Sequence, residues 1–139
     1  MKNKTYFASC LCKGVSLSIK GELRSVINCH CISCLKTHGN YAAYTATNEK
    51  NIHYISKKTL KWYNSSTFAK RGFCFKCGSS IFFKRKKSDH VSISAGLFKK
   101  PTNLNSSANI YVENKRDYYE IKDKYPKYKR YFKWIILKK

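Results

Sequence analysis

The chain lacks the apolar segments that mark a membrane or secreted protein. No run approaches the roughly 20 apolar residues of a membrane helix. The opening MKNKTYFASCLC is basic, but no apolar stretch of about 7 residues precedes its first cysteines, so it does not have the pattern of a secretory signal. We therefore expect a protein of the cytoplasm with no membrane partner.

Acidic residues are also scarce. Against 29 Lys and Arg there are 7 Asp and Glu, which gives a formal net charge of +22. This imbalance favours anionic ligands, and it permits weak contact with polyanions such as nucleic acid. It does not predict disorder, because 42% of the residues are hydrophobic and 15% are aromatic. With no repeat and no linker, residues 1–139 are predicted to form a single domain with a core from about 6 to 128.

Helical periodicity is nearly absent, and short segments rich in β-branched and aromatic residues predominate. Residues 15–19 (V-S-L-S-I) alternate apolar and polar side chains like a half-buried strand. Further strands are predicted at 25–28, 41–46, 52–55, 60–63, 68–73, 80–84, 90–94 and 109–112. Short helices are predicted only at 31–38 and 115–124. The pattern indicates a mainly β, compact domain of small antiparallel sheets.

The C-terminal segment, residues 125–139, interleaves Lys and Arg with aromatic residues. These aromatic residues are Tyr125, Tyr128, Tyr131, Phe132 and Trp134. The segment could contact nucleic acid through phosphate pairing and base stacking. Alternatively, its aromatic rings pack on the sheet while its lysines remain solvated. We favour the second interpretation, because Lys is abundant along the whole chain.

What the sequence does have is seven cysteines, all in short groups. The groups have the forms C-x-C, C-x-C-x-x-C and C-x-x-C. Their members are Cys10, Cys12, Cys29, Cys31, Cys34, Cys74 and Cys77. An odd number without a secretory signal argues against a disulfide framework, and clustered thiolates are typical zinc ligands.

The cysteine spacing suggests two zinc sites. A structural zinc takes four ligands and a catalytic zinc keeps one position open, so seven thiolates divide into four and three. One way to divide the cysteines takes two from each of two distant parts of the chain and gives a closed site. Its ligands are Cys10, Cys12, Cys74 and Cys77, with Gly78 permitting the tight turn of a knuckle. A local cluster with an open fourth position then remains, consisting of Cys29, Cys31 and Cys34.

A second division of the cysteines stays open at this point. A zinc ribbon would pair two C-x-x-C groups and leave the other three thiols free. Its ligands would be Cys31, Cys34, Cys74 and Cys77.

The order of the motifs resembles a known family. C-L-C-K-G-V begins at Cys10, C-H-C-I-S-C-L-K-T-H-G at Cys29, and R-G-F-C-F-K-C-G-S-S-I-F at Arg71. G-L-F-K-K-P follows at Gly96 and N-I-Y-V-E-N-K-R-D-Y at Asn109. From Cys10 to about residue 128, the chain resembles the glutathione-dependent formaldehyde-activating enzymes and centromere-protein-V-like proteins.

The resemblance implies a β-rich fold whose small sheets are joined by zinc–cysteine knuckles. It implies a structural zinc on the four-cysteine set and a second, reactive zinc on Cys29, Cys31 and Cys34. It also implies a carbon–sulfur lyase acting on S-hydroxymethylglutathione, the adduct of glutathione and formaldehyde, with glutathione as co-substrate. The sequence departs from the family pattern where an acidic residue often follows Gly-x-Leu, here Gly96 to Pro101. It also has Asn109 for a common His and Tyr118 for a common Trp, changes that alter pocket edges rather than metal ligands.

The open position predicts thiol–aldehyde chemistry. A substrate thiol that loses its proton would add to an aldehyde carbon and give a hemithioacetal, and the reverse reaction breaks the same bond. The alkoxide so formed needs a proton donor. The candidates are His30, His38, Ser33 and Tyr63, although His30 could simply cap a turn and His38 could be solvated.

Basic residues near the cluster are predicted to favour the two carboxylates of glutathione. They are Lys36, Lys70 and Arg71, and the resemblance places an Arg before the F-C knuckle. Two alternatives to an enzyme remain: a non-catalytic zinc module that contacts nucleic acid, and a zinc-stabilised module that binds a protein partner.

Overall fold

The computed structural model describes residues 4–131. Within that range it contains ten strands, one α-helix and three single turns of 3-10 helix. The strands are β1 (Thr5–Ser9), β2 (Val15–Lys20), β3 (Val26–Cys29), β4 (Ala42–Asn48), β5 (Ile52–Lys57), β6 (Leu60–Asn64), β7 (Ala69–Cys74), β8 (Ser80–Arg85), β9 (His90–Ser94) and β10 (Ser106–Ile110). The helix α1 (Ile32–His38) follows β3. The expectation of a mainly β fold is confirmed.

The strands form two sheets of unequal size. The smaller sheet has the order β1-β2-β5, and the larger has the order β10-β3-β4-β9-β8-β7-β6. Neighbouring strands are antiparallel except for β10 and β3, which run parallel. The larger sheet therefore begins and ends with segments far apart in sequence, and its centre is occupied by β4, β8 and β9.

The core lies between the two sheets. The alternation V-S-L-S-I places Val15, Leu17 and Ile19 on one face of β2, each at most 1% exposed. They join a cluster that includes Phe82 of β8 and Ile93 of β9 from the larger sheet. Full burial of one such side chain contributes about 1.5–3 kcal/mol, so this layer holds the sheets together.

One glycine is required by the packing of β7. The Trp62 ring stacks on Phe82 with centroids 5.3 Å apart and planes at 5°, and Lys70 Nζ lies 4.5 Å from the Trp62 centroid. A Cβ at Gly72 would approach the Phe82 ring to 3.1 Å and the Trp62 ring to 3.3 Å. A side chain at this position would force these rings to shift by a few tenths of an ångström.

The predicted helix at 115–124 is wrong. A 3-10 turn at Val112–Asn114 precedes this segment, and none of residues 115–124 is helical. Other hydrogen bonds hold it instead. The Asp123 carboxylate accepts from Asn109 Nδ2 of β10 at 3.0 and 3.1 Å and, locally, from the Tyr125 backbone N–H at 3.0 Å. These bonds outweigh a weak helical preference.

The start of the basic, aromatic C-terminal segment packs on the larger sheet. Asn109 N–H donates to Pro126 O at 2.8 Å, and Tyr128 N–H donates to Asn109 O at 2.9 Å. The Arg85 guanidinium lies 5.0 Å from the Tyr131 ring centroid. The predictions for Phe132 and Trp134 fall outside the described residues. In the part of the chain that is described, no helix has the length and apolarity to cross a membrane.

Candidate metal centres

The first cysteine cluster joins the two sheets. Cys10 and Cys12 lie in the turn between β1 and β2, Cys74 ends β7, and Cys77 lies in the turn to β8. All four Sγ atoms lie within 4.8 Å of one another. Cys10 and Cys12 Sγ are 3.7 Å apart, and Cys12 and Cys74 Sγ are 3.5 Å apart. A tetrahedral zinc with bonds of about 2.3 Å spaces its sulfurs by about 3.8 Å, so the donor set fits zinc.

Local hydrogen bonds hold these sulfurs in place. Val15 N–H donates to Cys10 Sγ at 3.3 Å, and Cys77 N–H donates to Cys74 Sγ at 3.3 Å. The predicted knuckle turn forms with Gly78 at a φ of +77°, in the left-handed region that glycine tolerates. The hydrogen bond with Ser79 Oγ lowers the pKa of Cys77 to about 5, which favours the thiolate that a metal needs.

The second cluster forms where β3 meets α1. Cys29 ends β3, Cys31 caps the helix N-terminus, and Cys34 lies in its first turn, with Cys34 N–H donating to Cys31 Sγ at 3.4 Å. The three Sγ atoms also lie within 4.8 Å of one another. Hydrogen bonds from Cys29 and Cys34 lower the pKa of Cys31. Three soft donors at this spacing fit zinc and leave a fourth position for another ligand.

The zinc-ribbon division is not formed. Among residues 4–131, Cys31 and Cys34 group with Cys29, whereas Cys74 and Cys77 group with the cysteines that follow β1. The two clusters that the structure brings together are therefore the four and the three.

A cavity of about 580 Å³ adjoins the three-cysteine cluster. Its walls come from alternate residues of neighbouring strands, which share one face of the larger sheet. Tyr44 of β4, Arg71 of β7, Phe83 of β8 and Ser92 of β9 are among them. The cysteines thus lie at the wall of a space that a small molecule can enter.

Arg71 connects the cysteines to the sheet. Its side chain is 6% exposed, with Nη2 3.6 Å from Cys34 Sγ, Nη1 3.2 Å from Tyr44 Oη and the guanidinium 5.0 Å from the Phe83 centroid. Burial works against its charge, but Tyr44 and Cys34 outweigh this and raise its pKa. Arg71 therefore places a permanent positive charge against the thiolate cluster.

The other predicted basic residues lie elsewhere. Lys36 is exposed on α1 and lines neither the 580 Å³ cavity nor a neighbouring groove of about 360 Å³. Lys70 lies over Trp62, at the edge of the larger sheet. Neither position puts a lysine against the three cysteines.

The four predicted proton donors lie in four different places. Ser33 lines the 580 Å³ cavity, and Tyr63 lines a neighbouring groove of about 360 Å³ together with Arg71. His38 is half-buried beside Thr37 Oγ1, at 2.8 Å from Nδ1, and does not line the cavity.

His30 is fully buried on the far side of the cysteine cluster. Its Nδ1 lies 2.7 Å from Tyr119 Oη, and its Nε2 lies 3.0 Å from Asn109 Oδ1. Since Asn109 Nδ2 donates to Asp123, its Oδ1 accepts, so His30 carries its proton on Nε2 and accepts from Tyr119. This network fastens the segment 115–124 to the end of β3, and none of its residues lines the cavity.

Four residues that line the cavity are not among the site residues predicted from the sequence. Tyr44, Arg24, Arg85 and Tyr111 line the same space as the cysteines. Tyr111 adopts the left-handed conformation at a φ of +56°, which is uncommon for an aromatic residue and often accompanies a functional site. Only the period-2 alternation of β4 and β8 could have placed Tyr44 and Arg85 on one face.

Comparison with known proteins gives matches of three kinds. A family model described as glutathione-dependent formaldehyde-activating enzyme matches residues 5–114. An uncharacterized lyase of Schizosaccharomyces pombe is 29% identical over 121 residues, covering 86% of this chain and 87% of that protein. The crystal structure of a Rhodobacter sphaeroides protein superposes with a TM-score of 0.55 at 18% identity, over 87% of this chain and 98% of that one. At that identity the last match shows a shared fold.

Proposed function

The chain belongs to the family of glutathione-dependent formaldehyde-activating enzymes, and from this premise we propose that it is a zinc-dependent carbon–sulfur lyase. Its substrate would be the adduct of a thiol, such as glutathione, with formaldehyde or a related small aldehyde. The similarity to a protein named a lyase supports a reaction of this class. A location in the cytoplasm and one zinc domain with a core from about 6 to 128 complete the proposal.

One observation carries this proposal: the cluster that adjoins the cavity has three cysteines rather than four. Within the described chain, the Cys29 cluster gathers no further His, Cys, Asp or Glu donor, whereas the Cys10 cluster has four sulfurs. A zinc ion held by Cys29, Cys31 and Cys34 would supply the Lewis acidity that keeps a substrate thiol ionised at neutral pH.

The bond changes in the reaction define what the protein must provide. The substrate sulfur forms a bond to the aldehyde carbon, and the carbonyl π pair moves to oxygen. The thiol has lost one proton and the oxygen gains one, so the sum is a thiol plus an aldehyde giving a hemithioacetal. The developing oxygen charge therefore needs a donor at the cavity wall.

Tyr44 is the donor that the hydrogen bonds favour. Arg71 Nη1 can only donate, so Tyr44 Oη accepts that bond and keeps its own proton for another partner. Burial raises the pKa of Tyr44, which keeps the phenol protonated at neutral pH. We assign Tyr44 the bond to the substrate oxygen, and Arg71 the positioning of Tyr44 and Cys34.

Zinc content and turnover, measured together, test the proposal. The wild-type protein, purified without oxygen, is expected to hold two zinc ions and to accelerate hemithioacetal formation from glutathione and formaldehyde. Cys31→Ser should lose one zinc and the acceleration, while Ile32→Ala, a change at an exposed neighbour, should keep both. Acceleration that survives Cys31→Ser, or a wild type with none, would refute the lyase assignment.

A further inference from the structure

Arg24 is a cavity residue whose charge has no described counter-ion. It precedes β3 and lines the cavity that holds the three-cysteine cluster. Its guanidinium makes one described hydrogen bond, from Nη2 to Tyr44 O at 2.8 Å. None of the ion pairs among residues 4–131 includes Arg24. Burial lowers its pKa to about 10, so the group remains charged at neutral pH.

Unsatisfied donors gather at this cavity. Four buried side-chain polar atoms of the described residues have no hydrogen-bond partner, and two of them are Arg24 Nε and Arg71 Nε. Both arginines are bonded to the same residue, Arg24 to the Tyr44 carbonyl and Arg71 to the Tyr44 hydroxyl. Both Nε atoms are closed to solvent, so an acceptor that enters with a ligand has to meet the outer nitrogens of these guanidinium groups.

The two arginines differ in how many guanidinium nitrogens remain without a hydrogen-bond partner. Arg71 has one Nη on Tyr44 and the other near Cys34. Arg24 has an Nη1 that no described hydrogen bond uses. At the rim, Arg85 adds a third positive charge, held 5.7 Å from the Phe68 centroid and 5.0 Å from the Tyr131 centroid.

The two carboxylates of the cavity lining do not neutralise Arg24. Asp89 is bonded to Asn48 Nδ2 at 2.9 Å and to His90 Nδ1 at 3.0 Å. Glu22 is exposed and lies beyond ion-pair distance of the Arg24 guanidinium. The acceptor that completes the site must therefore enter with a ligand.

We propose that Arg24, with Arg85 at the rim, forms a carboxylate subsite beside the three cysteines and selects anionic over neutral thiols. The inference rests on the proposed function, because the ligand it describes is the thiol substrate of that site. Tyr44 separates the carboxylate subsite from the cysteines. Its backbone carbonyl accepts a hydrogen bond from Arg24, and its hydroxyl lies on the side of Arg71 and Cys34. A ligand with a thiol at one end and a carboxylate farther along matches this arrangement.

The test uses a ligand without sulfur, so that it does not depend on metal or turnover. The probe is γ-glutamyl-alanyl-glycine. Its comparison is the same peptide with both carboxylates converted to amides, which keeps only the ammonium charge. Calorimetric titration in 0.5 M salt screens long-range attraction by the +22 chain. Wild-type protein should bind the dicarboxylate at least about tenfold more tightly than the diamide.

Two variants locate the effect. Arg24→Met should weaken dicarboxylate binding by roughly tenfold to a hundredfold and leave diamide binding unchanged. Arg116→Met removes the same charge from an exposed site outside the cavity and should change neither affinity. Equal losses in the two variants, or no preference for the dicarboxylate in wild type, would overturn the subsite. The comparison of dicarboxylate with diamide in the wild-type protein needs no variant, so it tests the subsite even if Arg24→Met does not fold.

Turnover of glutathione and formaldehyde by the same wild-type preparation separates this inference from the lyase proposal. Turnover without a preference for the dicarboxylate refutes the subsite alone. A preference that Arg24→Met abolishes, in a protein without turnover, supports the subsite and refutes the lyase.

Discussion

Removing the Tyr44 hydroxyl is the change that most directly tests the reaction geometry. Tyr44→Phe deletes one oxygen from a side chain that is 6% exposed and leaves the ring in place. It also removes the partner of Arg71 Nη1 at 3.2 Å, on an arginine whose Nε already lacks one. The loss of this hydrogen bond should cost about 1–3 kcal/mol of stability. The loss of a donor to the substrate oxygen should lower kcat by about 100- to 1000-fold.

Tyr63→Phe is the matched control for Tyr44→Phe. Tyr63 lines the neighbouring groove with Arg71, is 43% exposed, and stacks edge-on against Phe73 at 5.9 Å. The same atom is removed, yet we expect kcat within about twofold of wild type and a stability change under about 0.5 kcal/mol.

The assay is steady-state kinetics with zinc content measured on the same samples. Tyr44→Phe should lower kcat with two zinc ions still bound, since no cysteine is touched. The reasoning would be refuted if Tyr63→Phe lost activity while Tyr44→Phe kept it. Tyr111→Phe, at another phenol of this cavity, would reassign the donor if it alone lowered kcat.

Three further outcomes are expected. Cys74→Ser should give insoluble or largely unfolded protein, because it removes a buried member of the cluster that joins the sheets; native circular dichroism with unchanged zinc would contradict this. Gly72→Ala should lose about 1–3 kcal/mol in denaturant unfolding, since its Cβ would meet the Phe82 ring at 3.1 Å, whereas Gly96→Ala meets nothing within 4 Å and should stay near wild type. In cobalt-loaded protein the thiolate-to-metal band should grow when glutathione is added, and Cys31→Ser should abolish that growth; a wild-type spectrum that no thiol changes would mean that the second metal is closed.

The strands and the cysteine groups could be predicted because their signals are local. Alternation in residues 15–19 marks a buried face, and the C-x-C and C-x-x-C spacings place sulfurs on single turns. The strand Thr5–Ser9 was missed, since T-Y-F-A-S has no clear alternation and gains its place by pairing with β2. The helix predicted at 115–124 does not form, because two tertiary hydrogen bonds determine the path of this segment. One joins Tyr119 to His30, and the other joins Asp123 to Asn109.

The surroundings of the three-cysteine cluster could not be predicted from sequence proximity. His30 lies between Cys29 and Cys31, and the extended backbone there sends adjacent side chains to opposite sides. The nearest histidine in sequence is therefore turned away from the cavity. Tyr44 and Arg71 come from β4 and β7, and only the strand order brings them to the cysteines.

The two clusters become available at different times while the chain is being synthesised. Cys29, Cys31 and Cys34 leave the ribosome almost together and can meet a metal ion at once. Cys12 must wait for Cys74, 62 residues later, which takes about 3–12 s at typical rates of elongation. For that interval the first two cysteines remain reactive thiols on an incomplete chain, and only the arrival of Cys77 closes the cluster between the sheets. The three-cysteine cluster can therefore take up a metal ion early in synthesis, whereas the four-cysteine cluster can do so only after Cys77 has been made.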